Sequence, residues 1–288
     1  SSMQLGSFFS IIDKTITPGG SRLLQQKIKS PSINIKFLDN KLNLVESFLQ
    51  NENYANEMRL ILKKSSDLER ILGKIAKNKS NPRDLLSLRN TLSNVKILKT
   101  KLLSSNSKFQ KKISEKFIDT NKIEKKIQLN ISENSSANII NGNVVLDGVN
   151  QELDELRKIS NLSKETLLKI EDRERKITQI NSLKIRYNKV FGYYIEISKA
   201  HKNKILPENY IRKQTLINAE RYVTKELKDY EEKILSSDQR IFEIEKKIFN
   251  KISNFILENS SIIQINSQII NDLDVYLSFA SIAKENNY

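Results

Sequence analysis

The sequence predicts a mostly α protein: a long-helix domain with a small α+β (antiparallel β) domain inserted between two long helices. Three observations predict it. Only seven Gly and four Pro punctuate 288 residues, and these two residues are the usual interrupters of long helices. Leu227, Ile234, Ile241, Ile248 and Phe255 recur every seven residues, the period of a helix that buries one seam against another. Between residues 180 and 224 the apolar period falls to two, which marks strands.

The N-terminal half reads as a series of helices. Pro18-Gly19-Gly20 breaks the chain, and Ser21 then caps a helix through Leu23, Leu24 and Ile28 that closes at Ser30-Pro31. Phe37, Leu38, Leu42, Leu44, Val45, Phe48 and Leu49 follow at helical spacing, as do Leu60, Ile61, Leu68, Ile71, Leu72 and Ile75 on either side of Ser65-Ser66. Asn81-Pro82 starts a helix through Leu85, Leu88, Leu92, Val95 and Leu98, with Pro in its first turn. At residues 138–148, Asn141-Gly142 lies between two short β-branched runs and predicts a small hairpin or an extended link. A long helix is expected from near Asn150 to about Lys176, with Leu153, Leu156, Ile159 and Leu162 three residues apart and Leu167 and Ile170 extending the stripe. The final heptad helix has Tyr230 and Ile244 in its second seam row. At about 30 residues it is about 45 Å long. Ser237 and Lys251 interrupt that row, so an intramolecular helix pair is expected instead of a dimeric zipper. The two long helices form a stalk. At its tip, Leu183-Lys184-Ile185-Arg186-Tyr187 and Tyr193-Tyr194-Ile195-Glu196-Ile197 alternate as strands around the turn Asn188-Lys189-Val190-Phe191-Gly192, and Ile211 to Val223 favours extended structure in places. The segments divide as 1–163, 164–224 and 225–288.

Composition narrows the function classes. Hydrophobic residues make up 38% of the chain, enough for one large domain or two modest ones. The 49 Lys and Arg exceed the 34 Asp and Glu by 15, which points to a polyanionic partner such as nucleic acid or an anionic membrane surface. The blander account of that charge is a bias toward Asn, Ile and Lys. Cysteine is absent, so disulfides, thiolate nucleophiles and Cys-ligated zinc are excluded. The single histidine, His201, lies beside Lys202 and Lys204 and reads as a solvated loop residue. No apolar run approaches the roughly 18 residues of a membrane span, and no signal-peptide pattern opens the chain. A soluble, cytoplasmic protein is expected, and the chain reads as a piece of something longer.

No catalytic constellation emerges. Gly19-Gly20 is the longest glycine cluster and no Gly-Lys-Ser/Thr follows it, so nothing cradles phosphates in the manner of a P-loop. Glu231-Glu232 lies on a charged helix face near Lys228 and Lys233, where ion pairing accounts for it. Binding chemistry is present. From Ile180 to Thr224 there are nine bases (Lys184, Arg186, Lys189, Lys199, Lys202, Lys204, Arg212, Lys213 and Arg221) against three acids, a net of +6. Asn188, Gln214, Thr215 and Asn218 are interleaved with them, and phosphate contacts use both cations and neutral hydrogen bonders. A rival stretch from Lys99 to Lys126 carries nine lysines against three acids. It lacks such an amide and hydroxyl run, and its lysines are expected to be solvated. Tyr187, Phe191, Tyr193 and Tyr194 are able to stack on bases, but strand aromatics at this spacing are expected in the core.

Arg186-Tyr187-Asn188-Lys189-Val190-Phe191-Gly192-Tyr193-Tyr194-Ile195-Glu196-Ile197 resembles the clamp signature of the bacterial MutS family, and Arg212-Lys213-Gln214-Thr215-Leu216-Ile217-Asn218-Ala219-Glu220-Arg221-Tyr222 resembles its companion motif. Outside the clamp, Asp67-Leu68-Glu69-Arg70-Ile71-Leu72, Pro82-Arg83-Asp84-Leu85-Leu86, Gly20-Ser21-Arg22-Leu23-Leu24, Glu152-Leu153-Asp154-Glu155-Leu156 and Leu273-Asp274-Val275 resemble the family's helical core in family order. Lys27, Lys225 and Val149 depart from it where Trp, Pro and Tyr are usual. The resemblance implies a core/lever domain (1–163 and 225–288) around a clamp domain (164–224) that grips duplex DNA by its backbone. It implies a homodimeric mismatch repair parent that works with a MutL-type partner and binds ATP and Mg, with the mismatch-reading and ATPase domains outside this chain. This segment itself is then no enzyme, holds no cofactor or metal and touches no membrane. The DNA-contacting residues the resemblance points to are Asn188, Lys189, Lys213, Gln214, Thr215 and Asn218, and Lys184 and Arg186 of the basic segment are expected beside them. A coiled-coil interaction module without a DNA role, or an RNA binder, are the other classes.

Overall fold

The computed structural model describes residues 7–188, 190–201 and 203–288, with the side chain of Asn141 outside the description. Packing divides the chain into two units, one running to Leu146 and resuming at Ile248, the other spanning Asp147–Lys247.

The first unit is helical: α1 (Phe8–Ile12), α2 (Pro18–Lys29), α3 (Ile35–Leu49), α4 (Glu52–Lys63), α5 (Leu68–Ala76), α6 (Pro82–Leu103), α7 (Lys108–Ser114) and α8 (Asn121–Gln128), then the end of α10 (Lys225–Glu258) and all of α11 (Ser260–Asn286). The Asn81-Pro82 start signal is realised in full, because the Asn81 side chain accepts from Asp84 N–H and the Asp84 carboxylate accepts from Asn81 N–H. Such a capping box satisfies two backbone donors that a helix start leaves unpaired. Helix α11 packs against α2, α3 and α5, so its buried residues extend round the helix to include Ile270, Leu273, Tyr276 and Leu277. Buried Asn266 on α11 is satisfied by Ile118, accepting from its N–H at 3.0 Å and donating to its carbonyl at 2.9 Å.

Helix α2 begins earlier than the sequence suggests. Thr17, not Ser21, is the cap, and its hydroxyl accepts from Gly20 N–H at 3.0 Å. Pro18, Gly19 and Gly20 therefore form the first turn. The glycines allow a close approach to α11, since a Cβ on Gly19 would lie 2.2 Å from Asn271 Oδ1 and one on Gly20 2.3 Å from Asp274 Oδ2. Asp274 is fully buried and anchors this start by accepting from Ile16 N–H, from Thr17 N–H at 2.6 Å and from Thr17 Oγ1 at 2.7 Å. Lys27, where the family often has Trp, pairs with Asp272 at 3.1 Å and lies over the Tyr276 ring. In place of the hairpin, one of the two arrangements expected at 138–148, there is a short 3-10 turn at Ile139–Asn141, and Val145 bridges antiparallel to Ile131. Gly142 and Asn143 both have positive φ, so the turn sends the second run to a more distant partner.

The second unit pairs α9 (Gln151–Thr178) with the first part of α10. Between them lies a four-stranded antiparallel sheet of β1 (Lys184–Asn188), β2 (Gly192–Ser198), β3 (Ile211–Thr215) and β4 (Ala219–Val223), in the order β1-β2-β4-β3. The fold class read from the sequence is therefore the one observed. Thr224 caps α10, its hydroxyl accepting from Leu227 N–H at 3.2 Å, so the helix starts well with Lys225 in place of proline. Leu227 and Ile234 are buried as the heptad requires, but the buried stripe then moves to Ile244, Phe249, Ile252 and Ile256 while Ile248 and Phe255 are half-buried. A straight helix of 3.6 residues per turn drifts by about 20° per heptad, which accounts for the shift. On α9 the stripe also differs. Leu153, Ser160, Ser163, Leu167 and Ile170 are buried, whereas Ile159 and Leu162 are exposed. Packing selects steps of three and four over the uniform steps of three read from the sequence. None of the described helices is long and apolar enough to cross a membrane.

Candidate nucleic-acid interface

Alternation within the strands puts Ile195, Ile197 and Tyr222 into a core with Leu167, Ile170, Ile180, Leu183, Leu227 and Ile234. That core fixes the register of the other sheet face. There Lys184 stands opposite Glu196, Glu196 opposite Arg221, and Arg221 opposite Gln214. Glu196 is bracketed by Arg186 and Arg221, each with Nε at 3.4 Å. Arg221 also donates to Gln214 Oε1 at 2.7 Å and lies 4.5 Å from the centre of the Tyr194 ring. Arg186 and Gln214, both expected to face phosphates, thus have internal partners. Of the aromatics expected in the core, Tyr194 is 4% exposed. Tyr193 is half-buried, and Tyr187 is 48% exposed while packing its ring 5.1 Å from that of Tyr193.

The two turns that carry the remaining candidates lie at opposite ends of the sheet. At one end Asn188 faces Gly192 across β1 and β2, and Asn188 Oδ1 accepts from Val190 N–H at 2.7 Å, the local bond that makes Asn a turn residue. Lys189 lies outside the described residues. Gly192 has φ +72°, and a Cβ there would meet the Glu231 carboxylate, which accepts from Tyr193 N–H at 3.2 Å. This end is held against α10. At the other end Ser198 faces Ala219 and Thr215 faces Glu220. The turn is closed by Leu216 N–H donating to Ala219 O at 2.8 Å, and Lys199 N–H donates to Asn218 O at 3.0 Å. Six steps of β2 separate the ends, roughly 20 Å at about 3.3 Å per residue.

The second end gathers the exposed groups. Lys213, Thr215 and Asn218 are exposed, as is Lys199, which the strand register brings beside Asn218. Lys199 is the residue sequence reasoning counted for charge but did not select. Lys213 falls at the register shift between Arg212 and Gln214, a bulge that re-aims a side chain. Ile217, at the turn, is 90% exposed. Arg212 pairs with Glu220 at 3.4 Å, and the Tyr222 hydroxyl donates to the same carboxylate. That donor holds the Glu220 carboxyl below its usual range, while burial and Glu220 push the Tyr222 hydroxyl up to about 12. Lys204 is tied to the Gln179 carbonyl. His201 lies 3.1 Å from Ser182 Oγ through Nε2, so it is partnered and not simply solvated. In the rival stretch Lys99 donates to Phe117 O at 3.1 Å and Lys101 pairs with Glu57 at 2.5 Å. Two of its lysines are therefore committed, contrary to expectation, while Lys111, Lys112, Lys116, Lys122 and Lys125 are exposed. Among the described residues no cluster of His, Cys, Asp and Glu is arranged to hold a metal ion.

With this geometry in place, comparison with known proteins is decisive. The family model for MutS domain III matches residues 1–280. The chain belongs to the MutS family. Curated relatives named "DNA mismatch repair protein MutS" include that of Clostridium botulinum (strain 657 / Type Ba4), 42% identical over 284 residues that make up 98% of this chain and 30% of the relative. Those of Phocaeicola vulgatus and Bacteroides fragilis are each 41% identical over 282 residues, 98% of this chain and 32% and 33% of the relatives. The chain thus spans about a third of the length of these MutS proteins, and the domain III match includes both the first-unit helices and the inserted sheet.

Proposed function

We propose that this chain is the lever-and-clamp piece of a MutS mismatch repair protein, gripping duplex DNA through its phosphates without reading sequence. The observation that carries the reading is the end of the sheet where exposed Lys213 and Thr215 on β3, Asn218 in the turn after it and Lys199 just after β2 lie around a turn closed by backbone hydrogen bonds. Cations plus neutral donors on a rigid element fit phosphate oxygens, and such contacts position a protein on DNA without specifying bases. Lys184 adds a further exposed cation on the adjoining face. Arg186 and Gln214 act through the network around Glu196, which holds the strands in register. Asn188, at the end held against α10, forms a second point of contact with DNA lying along the sheet, and Lys189, next to it in sequence, remains a candidate contact.

In this reading residues 1–163 and 225–288 are the core and levers and 164–224 the clamp, and α9 and α10 carry displacement to the sheet. The relatives' names support a mismatch repair role for the parent. ATP with Mg, homodimer formation, the MutL-type partner and a cytoplasmic setting belong to that longer protein, and this segment supplies no catalytic group of its own.

A duplex titration at several salt concentrations tests the grip. Three to five phosphate contacts displace condensed counterions, so the log–log slope of affinity against salt is expected to be roughly −3 to −5. A salt-independent affinity would oppose the phosphate reading. No binding to duplex DNA would favour a coiled-coil interaction module, and a preference for RNA of the same length would favour an RNA binder.

A further inference from the structure

At the root of the second unit a single guanidinium joins the two stretches by which the chain enters and leaves it. The unit begins at Asp147 and ends at Lys247. Arg157, in the second turn of α9, donates through Nη1 to Asp147 Oδ1 at 2.5 Å and through Nη2 to Glu245 Oε1 at 2.6 Å. Asp154 lies 3.9 Å from the same Nη1 and accepts from Gly148 N–H at 2.9 Å. The Glu245 side chain is fully buried and that of Arg157 only 14% exposed. Nearby, Arg240 of α10 joins Glu152 of α9 at 2.7 Å.

The cluster sits where the apolar grip between the helices is thin. Toward the sheet from it, the buried positions are Ser160 and Ser163 on α9 and Ile244 and Ser237 on α10, and Ser160 donates to Asp238 at 2.8 Å. Ile159 and Leu162 point away, 47% and 61% exposed. Only closer to the sheet do Leu167, Ile170, Leu227 and Ile234 form a core. Hydrophobic attraction scales with apolar area removed from water, and hydroxyl-lined layers supply little of it. A guanidinium has a fixed planar array of donors, so it sets direction as well as distance. A buried ion pair adds little net stability, but its geometry is well suited to fixing register.

We propose that Arg157 is a positioning residue: it clasps the root of α9 and α10 so that the two helices move as one lever and do not slide or splay there. The proposal rests on the lever reading above, because a rigid pair matters when displacement at the root must reach the sheet. The clasp is nevertheless measurable without DNA. Cysteine is absent, so spin labels can be placed singly by substitution of exposed lysines. One doubly labelled chain carries K158C and K246C at the root, and another carries K176C and K228C near the sheet. Each is combined with R157Q/E245Q, which removes both charges and leaves no lone buried charge.

Pulsed electron spin resonance is expected to show the root distance distribution at least doubling in width, with the sheet-end distribution and the circular dichroism unchanged. R157K, which keeps the charge but loses the fork, is expected to broaden the root by a smaller amount, and it carries the test alone if the double variant does not fold. An unchanged root width in the variant that carries the test overturns the proposal. So does equal broadening at both ends, which means general loosening. Failure of the parent chain to bind DNA removes the lever reading but leaves the clasp result standing.

Discussion

Exchanging Lys199 and Lys213 for glutamate is expected to weaken duplex DNA binding at least tenfold, about 1.4 kcal/mol. Both side chains are exposed at the same end of the sheet, beside Thr215 and Asn218. The exchange replaces two attractions with two repulsions on an element whose backbone is already ordered. Circular dichroism should not change, since neither side chain enters the core around Ile195 and Tyr222. The matched control is Lys111 and Lys125 exchanged for glutamate, the same change in charge at exposed positions of the first unit. Charges farther from the bound phosphates than about 8 Å are largely screened at physiological salt, so the control should weaken binding less than threefold. Equal losses would mean that net charge, not placement, drives binding. A larger loss in the control would put DNA on the lysines of α7 and α8.

The largest expected loss of stability follows replacement of Asp274 with alanine. Its carboxylate is fully buried and accepts from Ile16 N–H, Thr17 N–H and the Thr17 hydroxyl, the group that caps α2. Alanine removes the acceptor and leaves these donors without it. Each buried donor left unpaired costs roughly 1–3 kcal/mol, so a total of about 3–5 kcal/mol is expected. For a unit of this size that lowers the melting temperature by about 10 °C. Asp274→Asn, which keeps one acceptor oxygen, should cost less. A melting curve for Asp274→Ala within about 2 °C of the parent would show that the start of α2 is held by something else.

How much of this was legible in the sequence depended on the range over which each feature is fixed. The helix start at Asn81-Pro82 and the long α9 and α10 are set within a few residues, and they are observed where the sequence puts them. Thr17 replaced Ser21 as a cap because Asp274, more than 250 residues away, makes the Thr17 start favourable. Ile159 and Leu162 read as core because apolar residues three apart look like a stripe, yet pairing with α10 requires alternating steps of three and four and turns Ser160 and Ser163 inward. The candidate contacts show the same limit. Charge and interleaved hydrogen bonders single out Arg186 and Gln214, but only cross-strand register reveals that Arg186 meets Glu196 and that Gln214 meets Arg221. Register also separates Asn188 from Asn218 by the length of β2 and brings Lys199 to Asn218. No local pattern carries that information, because Gln214 and Arg221 lie 7 positions apart in the chain, Arg186 and Glu196 10, and Lys199 and Asn218 19.

The central claim, that the sheet grips duplex DNA by its backbone and does not read it, is tested most directly by competition. A labelled duplex bound to the chain is displaced by unlabelled duplexes of equal length, one fully matched and one with a single central mismatch, followed by fluorescence anisotropy. Because phosphate contacts are identical in the two, the account predicts competition curves that agree within a factor of two at every salt concentration. A mismatched duplex that competes several-fold better than its matched twin would contradict it, since a base-reading element would then have to lie within this chain.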